Sequence, residues 1–188
     1  MSDTETFCFE HMDSPVGLLV LAADSAGRLR ILEFADHDAR MNLLMQRQYR
    51  AGCLVREGRV PTTIHHALER YFAGDLTATD LIETKTGGTD FQRRVWAALR
   101  EIPAGTTESY GALARRLGAP DASRAVGLAN GQNPIAIVVP CHRVIGANGS
   151  LTGFGGGLPR KQWLLNHEGA AYRPMRAKPA PDARLPGL

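Results

Sequence analysis

The 188-residue chain is predicted to fold as an α+β protein, with strands near its start and helices through its second half. Residues 7–12, 18–23 and 29–34 are short apolar or alternating segments, separated by the turn-forming sequences Ser-Pro-Val-Gly and Asp-Ser-Ala-Gly. Strands joined by turns this tight predict an antiparallel meander. After residue 90 the apolar residues recur at helical spacing instead, which predicts a mostly helical second half.

Two helices are predicted to follow the meander, over residues 38–50 and 62–73, and Gly74 ends the second. No metal site is predicted in this half, because its candidate ligands lack the CxxC or HxxxH spacing of common metal sites. Those candidates are Cys8, His11, Cys53, His65 and His66.

Three helices are predicted at the start of the second half. The first covers about residues 91–102, the second begins after the N-cap residue Ser109 and runs to residue 117, and the third runs from Pro120 to about Gly131. Two short helices joined by a Gly-containing turn in a basic region are typical of a helix-turn-helix, although many such helix pairs bind nothing.

The charge of the chain is divided unevenly between its halves. Residues 1–90 contain 9 Lys and Arg against 14 Asp and Glu (net −5), whereas residues 91–188 contain 13 against 5 (net +8). All of those 13 cations except Lys161 and Lys178 are arginine, whose geometry suits phosphate groups. The basic half is therefore predicted to bind a polyanion, unless the imbalance is a solvated surface with no partner.

Composition excludes several classes of protein. No apolar run approaches the roughly 20 residues of a membrane helix, and the polar, acidic start does not have the pattern of a signal peptide. The three cysteines are odd in number and far apart, which fits a reducing compartment better than a disulfide framework. We therefore expect a cytoplasmic protein with no membrane association.

The most informative stretch is residues 133–144. Its apolar and β-branched run predicts a buried strand that Pro140 ends, and Cys141 and His142 follow at once. Neighbours in a strand point to opposite faces, so these two side chains need a turn at Pro140, or a bridging water, to meet. On this stretch alone, a buried structural cysteine and a nucleophile remain equally open.

The sequence Pro-Cys-His-Arg-Val at residues 140–144, preceded by Asn-Pro at 133–134 and followed by Gly-Phe-Gly-Gly-Gly at 153–157, resembles the active-site signature of the O6-alkylguanine-DNA alkyltransferases. These are suicide DNA-repair proteins. The resemblance extends from about residue 91 to residue 169. It implies irreversible transfer of an alkyl group from O6-alkylguanine in double-stranded DNA to Cys141, after the base is flipped out. O4-alkylthymine is a candidate second substrate, and no cofactor is implied.

The resemblance also implies a domain organisation. Family members pair the catalytic half with a ribonuclease-H-like domain, so we expect an N-terminal α/β domain over residues 1–85 and a linker over 86–90. A catalytic, DNA-binding domain over 91–172 contains the helix-turn-helix, and a mobile tail covers 173–188. We expect the protein to act as a monomer.

The nucleophile requires a base, because a free cysteine near neutral pH is mostly protonated and only the thiolate attacks an alkyl carbon. His142 is the natural base, and the resemblance implies that Glu168 orients it, with a water between Cys141 and His142. His167 competes as a base on sequence alone, but it has no match in the motif. By the same resemblance, Asn133 ties the helix-turn-helix to the active-site stretch.

The third predicted helix is rich in Ala and Gly, so it offers few side chains that could read base edges in a major groove. Small residues allow close approach instead, which predicts docking without sequence preference, in the minor groove. The resemblance implies that Arg124 fills the gap left by the flipped base, and that Tyr110 rotates the target phosphate and then hydrogen-bonds the guanine. The other expected DNA contacts are Ser123, Ala125, Gly127 and Gln132.

The resemblance also implies five substrate-pocket residues. The carbonyl of Val144 would accept from the guanine amino group, Lys161 would hold the Cys141 loop, and Phe154, Gly155 and Gly156 would close over the base. The family commonly has tyrosine in place of Phe154. A phenyl ring still stacks but has no hydroxyl donor.

Three alternative functions can be compared with this hypothesis, and a feature of the sequence argues against each. An alkylation-damage sensor of the same family would lack Cys141. The methyltransferase half of a transcription regulator would carry a separate cysteine-rich metal domain. A thiol hydrolase acting on a metabolite would leave the basic half without a role.

Overall fold

The computed structural model describes residues 5–49 and 52–174 and confirms a mixed α+β architecture. Within these ranges the first half contains a four-stranded sheet and two α-helices, and the second half contains four α-helices and one two-stranded pair. The α-helices and strands, in chain order, are β1 (Glu5–Met12), β2 (Leu19–Asp24), β3 (Leu29–Phe34), α1 (Asp38–Gln48), β4 (Cys53–Glu57), α2 (Thr62–Phe72), α3 (Asp90–Arg100), β5 (Glu108–Ser109), α4 (Tyr110–Arg116), α5 (Ser123–Gly131), β6 (Val144–Ile145) and α6 (Leu158–His167).

The predicted antiparallel meander is confirmed. Strand β2 pairs antiparallel with both β1 and β3, and the turn between β1 and β2 closes with a hydrogen bond from Gly17 N to Ser14 O. The fourth strand, β4, was not predicted; it lies at the sheet edge, parallel to β1, and its Leu54 and Val55 are exposed. A half-solvated edge strand lacks the alternating pattern by which the other strands are recognised.

The helices follow the predicted segments closely, and side-chain N-caps are present at α3 and α4. Ser109 caps α4 by accepting a hydrogen bond from Ala112 N, and Gly118 follows the helix with a φ of 71°. Such a left-handed conformation at a helix end favours glycine. The third predicted helix begins as a 3₁₀ turn over Pro120–Ala122 before α5.

The predicted buried strand at residues 133–139 is wrong. The segment is buried but irregular: it makes a single bridge from Ile135 to Leu32 of β3, and Ile137 has a φ of 69°. The side chain of Asn133 replaces a ladder partner, since its Nδ2 donates to Val139 O (2.7 Å) and its Oδ1 accepts from Ile135 N (3.0 Å). Apolar composition predicted the burial correctly, but burial here comes from packing between the two halves.

That segment joins the two halves of the molecule. Leu32 N donates to Pro134 O, and Ala136 N donates to Leu32 O (2.8 Å). From α1, Arg40 donates to Gly131 O (2.8 Å) and Asn133 O (3.3 Å). The stretch before Cys141 therefore rests on the edge of the N-terminal sheet.

Two further observations concern the sequence expectations. None of the described helices is long and apolar enough to span a bilayer. Most of the predicted tail, residues 175–188, lies outside the described residues, and at its start Arg173 N donates to Gly149 O (2.7 Å).

Candidate active site

The chain turns sharply after Pro140, which is one of the two arrangements predicted for the Cys-His pair; no direct hydrogen bond joins the two side chains in the described structure. Cys141–Arg143 form one 3₁₀ turn, in which Arg143 N donates to Pro140 O (3.0 Å). From α5, Asn130 Nδ2 donates to the carbonyl of Cys141 (3.3 Å). Cys141 is only 5% exposed, so this residue is largely shielded from solvent.

Glu168, at the C-terminal end of α6, is the hub of a buried polar network. Its Oε1 accepts from His142 Nε2 (2.9 Å), from Arg143 Nη2 (2.9 Å) and from the hydroxyl of Tyr71 (2.8 Å), and its Oε2 accepts from Arg143 Nε (2.9 Å). Arg143 also donates to Ile102 O (2.6 Å). A buried carboxylate at a helix C-terminus is unfavourable unless hydrogen bonds satisfy it, as these do.

This network dictates the protonation of His142. Burial opposes the charge of Glu168, but the bonds from His142 and Arg143 outweigh it and hold the carboxyl pKa far below its usual range. An ionised carboxylate only accepts hydrogen bonds, so His142 Nε2 carries the proton that it donates. Burial also lowers the pKa of His142, which keeps the imidazole neutral and makes Nδ1 an acceptor. Nδ1 is buried and has no hydrogen-bond partner among the described residues.

The thiol of Cys141 needs such an acceptor. Burial raises its pKa, and the Asn133 amide together with the positive charges of Lys161 and Arg40 only partly opposes that rise. The thiol is therefore protonated near neutral pH. His142, the next residue, is neutral and has an unpartnered Nδ1 among the described residues, so it has the chemistry of a proton acceptor for a thiol.

Lys161 anchors the chain on the other side of Cys141. Its ammonium is fully buried and donates to the carbonyls of Val144 (2.6 Å), Thr152 (2.7 Å) and Gly153 (3.4 Å). Burial lowers the pKa of Lys161 to about 8. The carbonyl of Val144 thus already has one donor, and its second lone pair is the one a ligand could use.

The glycine-rich loop packs against the N-terminal half. The ring of Phe154 lies edge-on to Phe34, with centroids 6.0 Å apart. A Cβ at Gly155 would overlap the guanidinium of Arg40, and one at Gly156 would overlap the Phe34 ring. Close packing on the Phe34 ring therefore requires glycine at position 156, whereas a side chain at position 155 would displace the guanidinium of Arg40.

The residues expected to contact DNA lie on α4 and α5. Arg124 and Ala125 are exposed on α5, whereas Ser123 and Gly127 are partly buried; Gly127 faces the ring of Tyr110. Burial raises the pKa of the Tyr110 phenol, and interactions of its hydroxyl with Thr152 and Asn130 partly offset this. The tyrosine therefore stays protonated.

Gln132 and His167 are hydrogen-bonded to other parts of the protein. Gln132 follows α5, and its Oε1 accepts from Gln92 Nε2 of α3 (2.6 Å). His167, the competing base, has its Nε2 2.7 Å from the carbonyl of Tyr71 and stacks on Trp163 with centroids 5.0 Å apart. It is engaged in helix packing.

Sequence reasoning missed two members of the network. Arg143 lies inside the recognised motif. A buried arginine needs a carboxylate partner, and that requirement could have indicated its pairing with Glu168. Tyr71 gave no signal, because it has the helical spacing of an ordinary core residue of α2. Across the described ranges, no group of three or more His, Cys, Asp and Glu side chains could hold a metal ion.

Comparison with known proteins agrees with this geometry. A family model described as 6-O-methylguanine DNA methyltransferase, DNA binding domain, matches residues 90–170. The methylated-DNA–protein-cysteine methyltransferase of Salmonella typhimurium is 52% identical over 161 residues, which cover 85% of this chain and 94% of the relative. The crystal structure of Mycobacterium tuberculosis O6-methylguanine methyltransferase matches with a TM-score of 0.70 and 44% identity, over 87% of this chain and 93% of that one. The structure of Mycobacterium tuberculosis OGT in complex with DNA has the same TM-score and identity, over 87% and 92%.

The family model covers the half that contains the Cys141 turn and Glu168, and the relatives match both halves of the chain. The similarity therefore extends well beyond a single motif. This chain belongs to the methylated-DNA–protein-cysteine methyltransferase family.

Proposed function

We propose that this protein repairs DNA by direct reversal, moving an alkyl group from O6-alkylguanine to its own Cys141. The observation that carries the proposal is the buried turn in which Cys141 is followed by a neutral His142 bound to Glu168. The names of the relatives support the same activity.

The proposed transfer is a single displacement. The Cys141 proton moves to His142 Nδ1, directly or through a water, and the thiolate attacks the alkyl carbon. A sulfur–carbon bond forms as the carbon–O6 bond breaks. The electron pair of the broken carbon–O6 bond stays on the guanine, which takes up one proton. Because a thioether is stable and nothing in the reaction cleaves it, each molecule acts once. No cofactor is required.

We propose that α4 and α5 form a helix-turn-helix that docks on duplex DNA through the minor groove. Arg124 and Ala125 are exposed on α5, and Leu128 on the same helix is 63% exposed. Small and apolar side chains suit close approach to a groove, and an arginine can occupy the space of an extruded base. Tyr110, Ser123, Gly127 and Gln132 are proposed to line this interface. The DNA complex of the M. tuberculosis relative supports DNA as the partner.

In the pocket, we propose that the second lone pair of the Val144 carbonyl accepts from the guanine amino group. Phe154, Gly155 and Gly156 close one side, and Lys161 holds the loop. Asn133 orders the chain before Cys141.

We further propose a ribonuclease-H-like domain over residues 1–85, a linker over 86–90 and a catalytic domain over 91–172, acting as a monomer in the cytoplasm. The mixed four-stranded sheet supports the first assignment. The damage-sensor alternative is not favoured, because the cysteine that sensors lack is present beside its base.

Counting lesions tests this function. A duplex with one O6-methylguanine is mixed with limiting protein, and the remaining lesion is measured over time. We expect one lesion removed per protein molecule and then no further reaction, with none removed by Cys141→Ala. Repeated turnover, or removal by the variant, would contradict the proposal.

A further inference from the structure

One residue of the N-terminal half reaches the catalytic network. Tyr71, in the last turn of α2, is fully buried, and its hydroxyl donates to Glu168 Oε1 across 97 residues of sequence (2.8 Å). That oxygen is the one that accepts from His142 Nε2. Tyr71 and His142 therefore share a single carboxylate oxygen.

The ring of Tyr71 is fixed from several sides. Its backbone carbonyl is 2.7 Å from His167 Nε2, and its ring packs edge-on against Phe72 and His167 with centroids 5.3 and 5.1 Å apart. His167 in turn stacks on Trp163. The hydroxyl is thus aimed at Glu168 by rigid neighbours, and it cannot leave without disturbing the contact between α2 and α6.

We propose that Tyr71 is a positioning residue through which the N-terminal half sets the basicity of His142. The proposal rests on the proposed function, in which His142 accepts the Cys141 proton. It assigns to the N-terminal half a part in the chemistry, in addition to its packing under the Cys141 segment.

The direction of the effect follows from electrostatics. Each donor to Glu168 Oε1 neutralises part of its negative charge, and that charge is what stabilises a protonated His142. Removing the Tyr71 hydroxyl leaves more charge on the oxygen that faces His142, so His142 becomes more basic. Arg143 and Lys161 also act on this pair, and His167 packs against the Tyr71 ring. Tyr71→Phe leaves them in place.

The test is the pH dependence of alkyl transfer by Tyr71→Phe, measured with free O6-benzylguanine so that DNA binding does not contribute. Transfer requires neutral His142, so a more basic His142 moves the acidic limb of the profile to higher pH. At pH values below the midpoint of the acidic limb, we expect Tyr71→Phe to react about threefold to tenfold more slowly than the unmodified protein. This difference corresponds to a fraction of the free energy of one hydrogen bond to a charged group. Tyr172→Phe is the matched control, because its hydroxyl also donates to one side chain, Asn166, at the protein surface.

An unchanged pH profile in a folded Tyr71→Phe protein would overturn the proposal, whatever the stability of the variant. If that variant is also less stable, Tyr71 is a purely structural residue. If this variant does not fold, fluorotyrosine incorporated only at position 71 answers the same question. Its hydroxyl is a stronger donor, so the acidic limb must move to lower pH; no movement would overturn the proposal.

Failure of the proposed function itself is recognised separately. In that case the unmodified protein would not take up the benzyl group at any pH. If the unmodified protein takes up the benzyl group but the Tyr71 variants have the same pH profile as the unmodified protein, the alkyl-transfer function stands and only the inference about Tyr71 fails.

Discussion

Replacing Glu168 with glutamine is the perturbation whose outcome the network predicts in most detail. The carboxylate accepts four hydrogen bonds, from His142, Arg143 and Tyr71, and all three partners are donors. A glutamine has the same shape but only one acceptor oxygen, and its NH₂ group must face one of these donors. The substitution therefore creates a donor–donor conflict and leaves the buried Arg143 without a counter-charge.

Two magnitudes follow. Removing one partner of a buried ion pair costs about 3–5 kcal/mol of unfolding free energy. If the new NH₂ group donates to His142 Nε2, the ring proton moves to Nδ1, and the atom that should accept the Cys141 proton is blocked. General-base catalysis contributes about 10²- to 10⁴-fold, and a catalytic histidine held in the wrong tautomer loses about 10⁴-fold. We expect a loss of that order in the alkyl-transfer rate of Glu168→Gln.

The pH dependence of the unfolding free energy provides an independent test of the same network. The Glu168 pKa in the folded protein lies far below its ordinary value of 4.5. A carboxyl with a depressed pKa stabilises the fold above its unfolded pKa, and this contribution is lost as the pH falls toward the folded pKa. The stability difference between the unmodified protein and Glu168→Gln should thus be constant from about pH 6 to 8 and shrink below about pH 4.5.

The assay combines urea unfolding with the rate of benzyl transfer from free O6-benzylguanine. Glu101→Gln is the matched control, since the Glu101 carboxylate pairs with Arg116 at the surface and is 70% exposed. We expect the control to change neither quantity appreciably. A Glu168→Gln protein that transfers the benzyl group within about threefold of the normal rate would refute the assigned tautomer.

Two other substitutions test the DNA side and the loop anchor. Arg124→Ala should slow repair of duplex DNA by about 10- to 100-fold, because flipping a base costs more when no side chain fills the gap, and benzyl transfer from the free base should stay within about twofold of normal. The control is Arg47→Ala, whose side chain is exposed on α1. Equal losses on both substrates would show that Arg124 has no role in flipping. Lys161→Met should lower the unfolding free energy by about 2 kcal/mol or more, since several buried carbonyls lose their donor, and should raise the pH at which Cys141 reacts with iodoacetamide. Lys85→Met is its exposed control, and an unchanged thiol titration would show that Lys161 does not act on Cys141.

Local sequence signals predicted those parts of the molecule that local forces determine. The turns of the meander and the Ser109 cap depend on neighbours within four residues, and the structure has them where expected. The motif also named His142 and Glu168, whose side chains are hydrogen-bonded in the structure.

What the sequence could not predict depends on distant contacts. Residues 133–139 have the composition of a strand, but the Asn133 side chain and the packing of the two halves hold them in turns. Strand β4 is mostly exposed and is paired along β1, a contact that its own sequence does not indicate. The contribution of Tyr71 to Glu168 joins two helices that are far apart in the chain, and no periodicity within α2 indicates it.

The central claim is that Cys141 itself receives the alkyl group. Its most direct test is the intact mass of the protein after reaction with a duplex containing one O6-methylguanine, followed by peptide mapping. The account predicts a gain of one methyl group on Cys141, with the exposed Cys8 and the partly exposed Cys53 unmodified as internal controls. A methyl group on either of those cysteines, or no gain in mass by a protein that binds the duplex, would contradict it.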